Sequence, residues 1–94
     1  MKVTDILSVV DKDAIVIYVE EKKIQKFLDE TEIVTHLTGY YRDYIPVILT
    51  DYLSNQPFLK ADKDLMEFIE NMTIVKMESY QYDYGRDALR IIVE

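Results

Sequence analysis

His36 is the only histidine in the 94-residue chain, and an imidazole can ligate a metal or act as a general base near neutral pH. Nothing beside it has metal-ligand spacing, so any such site would need carboxylates brought in from elsewhere in the fold. Two Asp-Lys-Asp triplets, Asp11 to Asp13 and Asp62 to Asp64, place paired carboxylates where a divalent cation could bind. The first closes one helical pattern and the second opens another, so capping and solvation account for both. There is no cysteine, which removes thiolate ligands, a cysteine nucleophile and disulfides together. No glycine-rich phosphate loop, no G-x-S-x-G and no nucleophile with a local base is present. The expectation is a non-enzyme with no metal and no cofactor.

Tyrosine is the more informative side chain. Tyr80, Tyr82 and Tyr84 alternate along one stretch, and a strand that runs so far puts all three on one face with Glu78 and Lys76. Asp83 lies between them. Tyr40, Tyr41 and Tyr44, with Asp43, form a second cluster. A tyrosine joins a large apolar ring to a hydrogen-bonding tip at little entropic cost, which suits an interaction surface. The same rings serve equally well to cover a sheet or to pack under loops. The candidate interaction residues are therefore Glu78, Tyr80, Tyr82, Asp83, Tyr84, Tyr40, Tyr41, Asp43 and Tyr44.

The elements that must position them follow from periodicity. Val3, Ile6, Leu7 and Val10 have helical spacing, with Thr4 or Asp5 as the cap. Ala14 to Val19 is apolar on both alternating faces and reads as a central strand covered on both sides. Glu20 to Lys23 reads as a charged turn, and Ile24 to Leu28 fits either a returning strand or a helical turn. Thr31 to Gly39 fits a short helix or a strand. A helix is placed from Pro46 to Asn55, because proline suits the first helical turn. In Asp62 to Met72 the residues Leu65, Met66, Phe68, Ile69 and Met72 share a helix face. Thr73 to Tyr80 and Ala88 to Val93 then read as a hairpin, with Val75 and Met77 pointing inward toward Leu65 and Phe68.

The predicted fold is a single α+β domain over 1–94. Its sheet is small and mostly antiparallel, with about four strands in two hairpins, and three to four short helices pack mainly on one face. Asp5 to Glu20 and Asp64 to Ser79 echo each other as acid, apolar helix face, polar break and strand. The chain thus reads as helix-hairpin units at 4–28 and 62–94 around a helical insertion at 31–57, whether as a pseudo-repeat or as a chance likeness.

The opening VTDILSVVDKDAIVIYV and the closing DLMEFIENMTIVKMES with ALRIIV resemble small uncharacterised α+β proteins of Gram-positive bacteria, their phages and mobile elements. The resemblance covers about half the chain, departs from it at Thr31 to Asn55, and implies an origin rather than an activity.

Charge narrows the partner. The net charge is −7, and residues 29–94 carry thirteen acidic against six basic side chains while residues 1–28 carry five of each. An acidic surface repels phosphate backbones and anionic lipids, which disfavours direct nucleic-acid or membrane binding and favours a basic protein. No apolar run approaches a membrane span, nor does the chain open on a basic and apolar leader, so a cytoplasmic protein is expected. The expected function is a non-catalytic, acidic interaction module. With the resemblance, its concrete form is a phage or mobile-element inhibitor that mimics nucleic acid against a host nucleic-acid-binding protein, as in the anti-CRISPR and DNA-mimic class. The alternative is a small structural or accessory homo-oligomeric subunit, a homodimer among the options, in which the tyrosine face is buried against itself.

Overall fold

The computed structural model describes residues 1–28, 43–53, 58–82 and 85–94. Its centre is β1 (Ile15–Glu20), in which the five residues from Ile15 to Val19 are all buried. A strand apolar on both faces needs cover on both, and β1, at the middle of a five-stranded sheet, has a core cluster on each face. β2 (Tyr44–Ile48) pairs antiparallel on one flank of β1, and β3 (Leu59–Lys60) pairs parallel beyond it. On the other flank β5 (Arg86–Val93) runs parallel to β1, and β4 (Ile74–Tyr82) closes the sheet antiparallel to β5. The order is β3-β2-β1-β5-β4.

Side-chain alternation divides the core in two. On one face Ile15, Ile17, Val19, Ile45, Val47, Ile91 and Val93 meet three helical segments, α1 (Val3–Leu7), α2 (Glu21–Ile24) and α3 (Lys63–Ile69). Val3, Ile6, Ile24, Leu65 and Ile69 are the buried residues these segments supply. The opposite face gathers Val16, Tyr18, Ile48, Tyr82, Ala88 and Ile92 under Leu53 and Phe58.

Both outer helices are fastened at their N-termini. The Asp62 carboxylate accepts from the backbone N–H of Leu65 at 2.8 Å and caps α3, which fits the sequence expectation of a start at this residue. At α1 the cap is Lys2 rather than Thr4 or Asp5. Asp5 sits three residues in, and its carboxylate reaches back to accept from the Lys2 N–H at 2.9 Å.

The sheet corrects the predicted four-stranded, mostly antiparallel arrangement of two hairpins. It has five strands of mixed direction, and three α-helical segments lie among the described residues. Among the described residues only β4 and β5 form a hairpin, whereas β1 takes its neighbours from residues 44–48 and 86–93, far along the chain. Ile24 to Leu28 does not return as a strand. Residues Glu21–Ile24 are α-helical and Gln25–Phe27 form a 3-10 turn, which buries Ile24 completely against the sheet and half-buries Phe27. The helix placed at Pro46 is also overturned, because Tyr44–Ile48 is a strand next to β1.

Proline is tolerated there for a geometric reason. The Ile48 carbonyl accepts from the Ala61 N–H at 2.9 Å, which turns the Ile48 backbone toward β3. By alternation Pro46 faces the same way, but β3 begins only at Leu59, opposite Val47. The donor that proline lacks is thus one that the ladder does not use. Where residues 31–57 are described, at 43–53, they hold β2 and the 3-10 turn Asp51–Leu53, while Thr31 to Gly39 lies outside the described residues.

The hairpin runs further than predicted, to Tyr82 on one side and from Arg86 on the other. Gly85 stands in its connection at φ 73°, a left-handed conformation that favours glycine.

Candidate functional site

The predicted interaction residues fall in different environments. Tyr80 and Tyr82 share a face of β4 with Lys76 and Glu78, as alternation requires, yet their burial differs sharply. Tyr80 is 44% exposed, whereas Tyr82 is 8% exposed and belongs to the core. The Tyr82 ring meets Phe58 edge-on with centroids 5.3 Å apart, and its hydroxyl lies 3.4 Å from that of Tyr18. Burial, with the Tyr18 hydrogen bond behind it, pushes the Tyr82 phenol well above the ordinary tyrosine range. Tyr82 is therefore a ring that packs under a loop, while Tyr80 is a ring that faces outward.

Asp43 and Tyr44 sit elsewhere. Asp43 is exposed, and its carbonyl accepts from the Glu21 N–H at 2.9 Å. Tyr44 is half-buried at the start of β2, opposite Glu20 at the far end of β1. Tyr80 instead pairs with Ala88, near the beginning of β5, which runs beside the beginning of β1. Tyr44 and Tyr80 are thus set at opposite ends of β1 and on opposite flanks of it. Tyr40, Tyr41, Asp83 and Tyr84 lie outside the described residues, as does His36.

The residue that organises the Tyr80 surface is Arg90, which the sequence reading passed over. Its guanidinium lies 3.7 Å from the Tyr80 ring centroid and 5.0 Å from that of Tyr18, and its Nη1 donates to Glu78 Oε1 at 2.9 Å. Glu78 also pairs with Lys76 at 3.5 Å. Burial alone would make the Arg90 charge less favourable. Tyr18, Glu78 and Tyr82 outweigh it and hold the group firmly protonated. The available signal was a lone arginine inside ALRIIV, since a charge in an otherwise apolar strand requires a partner across the ladder. Register supplies that partner, because Glu78 is the residue directly opposite Arg90.

The outer margin of β4 corrects a second expectation. Val75 and Met77 were expected to point inward toward Leu65 and Phe68, but they are 53% and 42% exposed. The register shifts between Ile74 and Lys76, so Val75 is the extra residue of a bulge and leaves the core face. Met77 lies on the edge strand of the sheet. Leu65 is buried and Phe68 half-buried as expected, with Phe27 beside the Phe68 ring at 5.1 Å.

A groove of about 610 Å³ runs past the end of this surface, between Val10 and Ala14 on one side and Tyr80, Gln81 and Asp87 on the other. Asp11 is occupied with local capping, accepting from the Asp13 N–H at 2.9 Å. Among the described residues no group of three or more His, Asp or Glu is placed to hold a metal ion, and no helix is long and apolar enough to cross a membrane. The chemistry on offer at the β4–β5 surface is recognition, through an exposed ring, a stacked cation and a carboxylate. No family model matches the chain, and neither a curated protein nor a solved structure matches it.

Proposed function

We propose that this chain is a non-catalytic interaction module that binds another protein through the outer β4–β5 surface, with Tyr80 at its centre and Glu78 and Arg90 beside it. The observation that carries the reading is Tyr80 itself, 44% exposed with the Arg90 guanidinium stacked 3.7 Å from its ring centroid. A ring fixed before binding loses little entropy on contact, which is what makes tyrosine effective at interfaces. Val75, 53% exposed at the bulge, adds apolar area farther along the same strand.

The finer form of the proposal concerns the partner. A net charge of −7 favours a basic protein, and the acidic excess supports a phage or mobile-element inhibitor that presents carboxylates in place of nucleic-acid phosphates to a host nucleic-acid-binding protein.

The test uses the full chain as bait in lysate of a Gram-positive host, beside a Tyr80→Ala variant that keeps the native circular-dichroism spectrum. Retention of a basic, nucleic-acid-binding protein by the native chain and its loss with Tyr80→Ala is the expected result. A partner held equally by both baits overturns the assignment of the surface. Binding that is indifferent to about 0.5 M salt, where screening is nearly complete beyond a few ångströms, overturns the mimicry form alone.

A further inference from the structure

Beyond this reading, the hydrogen bonds of β4 define a second interaction site. Thr73 and Glu94 exchange both backbone hydrogen bonds, at 3.2 and 2.9 Å, which fixes the phase of the ladder between β4 and β5. On β5 the groups facing β4 are then those of Ile92, Arg90, Ala88 and Arg86, opposite Lys76, Glu78, Tyr80 and Tyr82. The residues between them, Met77, Ser79 and Gln81, turn their N–H and C=O groups away from β5, toward the free side of the sheet.

The start of that side is already occupied. Ile74 donates its N–H to the Met1 carbonyl at 2.8 Å, and Lys2 bridges to Thr73. The bulge at Val75 marks the end of this covered stretch. Among the described residues no backbone partner meets the outward groups of Met77, Ser79 and Gln81, and the midpoint of the stretch from Lys76 to Tyr82 is Ser79.

We propose that the open edge of β4 pairs antiparallel with β4 of a second copy of this chain, with the two-fold axis at Ser79. That register puts Ser79 opposite Ser79 and Met77 opposite Gln81, so every outward backbone group between Met77 and Gln81 gains a partner. On the tyrosine face it puts Glu78 of each copy opposite Tyr80 of the other, the ring on which Arg90 is stacked. A carboxylate thus meets a ring that carries a cation, and no two like charges stand directly opposite. Moving the axis to Glu78 would set two carboxylates face to face and leave Gln81 facing the bulge. The open edge carries one lysine and one glutamate, so the net charge of −7 is not concentrated where the copies meet. The result is a continuous ten-stranded sheet in which the two Tyr80 surfaces lie side by side, each still open to another protein.

The test is sedimentation of the native chain from about 1 μM to about 1 mM, a range that spans weak to firm self-association. Three variants accompany it. Ser79→Pro removes an N–H that points away from β5, so the β4–β5 ladder survives while the edge loses its central donor. A concentration-dependent dimer that becomes monomeric in Ser79→Pro, with the circular-dichroism spectrum unchanged, is the expected result. Because the chain has no cysteine, Ser79→Cys and Met77→Cys read the register directly. Residues 79 of the two copies would stand about 5.5 Å apart between Cα atoms, within disulfide range. Residues 77 would be offset by four positions, roughly 13 Å. Ser79→Cys should therefore cross-link rapidly under mild oxidation and Met77→Cys should not. A native chain still monomeric at the highest concentration overturns the proposal, as does a dimer that survives Ser79→Pro or equal cross-linking by both cysteine variants. If Ser79→Pro fails to fold, the cross-linking pair decides alone.

Discussion

Arg90 lies against the ring of Tyr80, with its guanidinium carbon 3.7 Å from the ring centroid, so an exposed aromatic of the β4–β5 surface stacks on a charge that is itself largely buried. The arginine side chain is 12% exposed, and Glu78, directly across the ladder, is 31% exposed. Burial costs the pair desolvation while strengthening its attraction, and the two rings give the guanidinium further contacts.

Removing the cation should therefore be costly. Arg90→Ala is expected to lower stability by about 2–3 kcal/mol, because it takes away the stacking on Tyr80 and Tyr18 and the ion pair with Glu78. Chemical denaturation of Arg90→Ala, Glu78→Gln and the double variant should give a coupling of about 1–2 kcal/mol between them. A coupling near zero would show that the pair contributes only packing.

The buried Tyr82 phenol makes stability depend on alkaline pH. Its ionisation in the folded chain lies above the ordinary tyrosine value of about 10, while the unfolded chain ionises near that value. The contribution is thus fully present below pH 10 and declines as pH rises above it, by at most about 1.4 kcal/mol per pH unit. Tyr82→Phe should flatten that decline without a large loss at pH 7, since the hydroxyl contact with Tyr18 is long at 3.4 Å. Thermal melts from pH 7 to 11 make the comparison.

At the helix layer, Asp62→Ala should cost about 1 kcal/mol by removing the carboxylate that accepts from the Leu65 N–H at 2.8 Å. The melting temperature should fall by roughly 4–8 °C, a shift expected for a domain of this size. Asp62→Asn keeps an acceptor and should recover most of it.

In the sheet centre, Ile17 is fully buried between β2 and β5, with helices over it. Ile17→Ala should destabilise the fold by about 3–4 kcal/mol, through lost transfer free energy and the cavity left behind. Met77→Ala, on the exposed edge, should change monomer stability by less than about 0.5 kcal/mol, and the contrast between the two checks that β4 faces outward there.

Some of this fold was written locally. Leu65, Phe68 and Ile69 at helical spacing behind Asp62 determine α3, because the cap and the apolar face lie within one short segment. Ile15 to Val19, apolar at every position, determines a strand covered on both sides. The last strands and the glycine between them determine a hairpin, since their pairing is with near neighbours.

Other features depend on residues far along the chain. Val16 and Ile17 are apolar whichever strand lies beside them, so only the assembled sheet selects an antiparallel β2 on one flank and a parallel β5 on the other. Pro46 has the local character of a helix start, and it occupies a strand because β3 begins one residue too late to require its missing donor. Val75 and Met77 alternate as inward residues should, but a bulge and an edge position leave them in solvent. The sequence by itself determined an acidic α+β chain and placed Tyr80 and Tyr82 on one strand face. Tertiary structure decided that Tyr82 is core and Tyr80 is surface, because Phe58 packs edge-on against the Tyr82 ring while the Tyr80 ring stays 44% exposed.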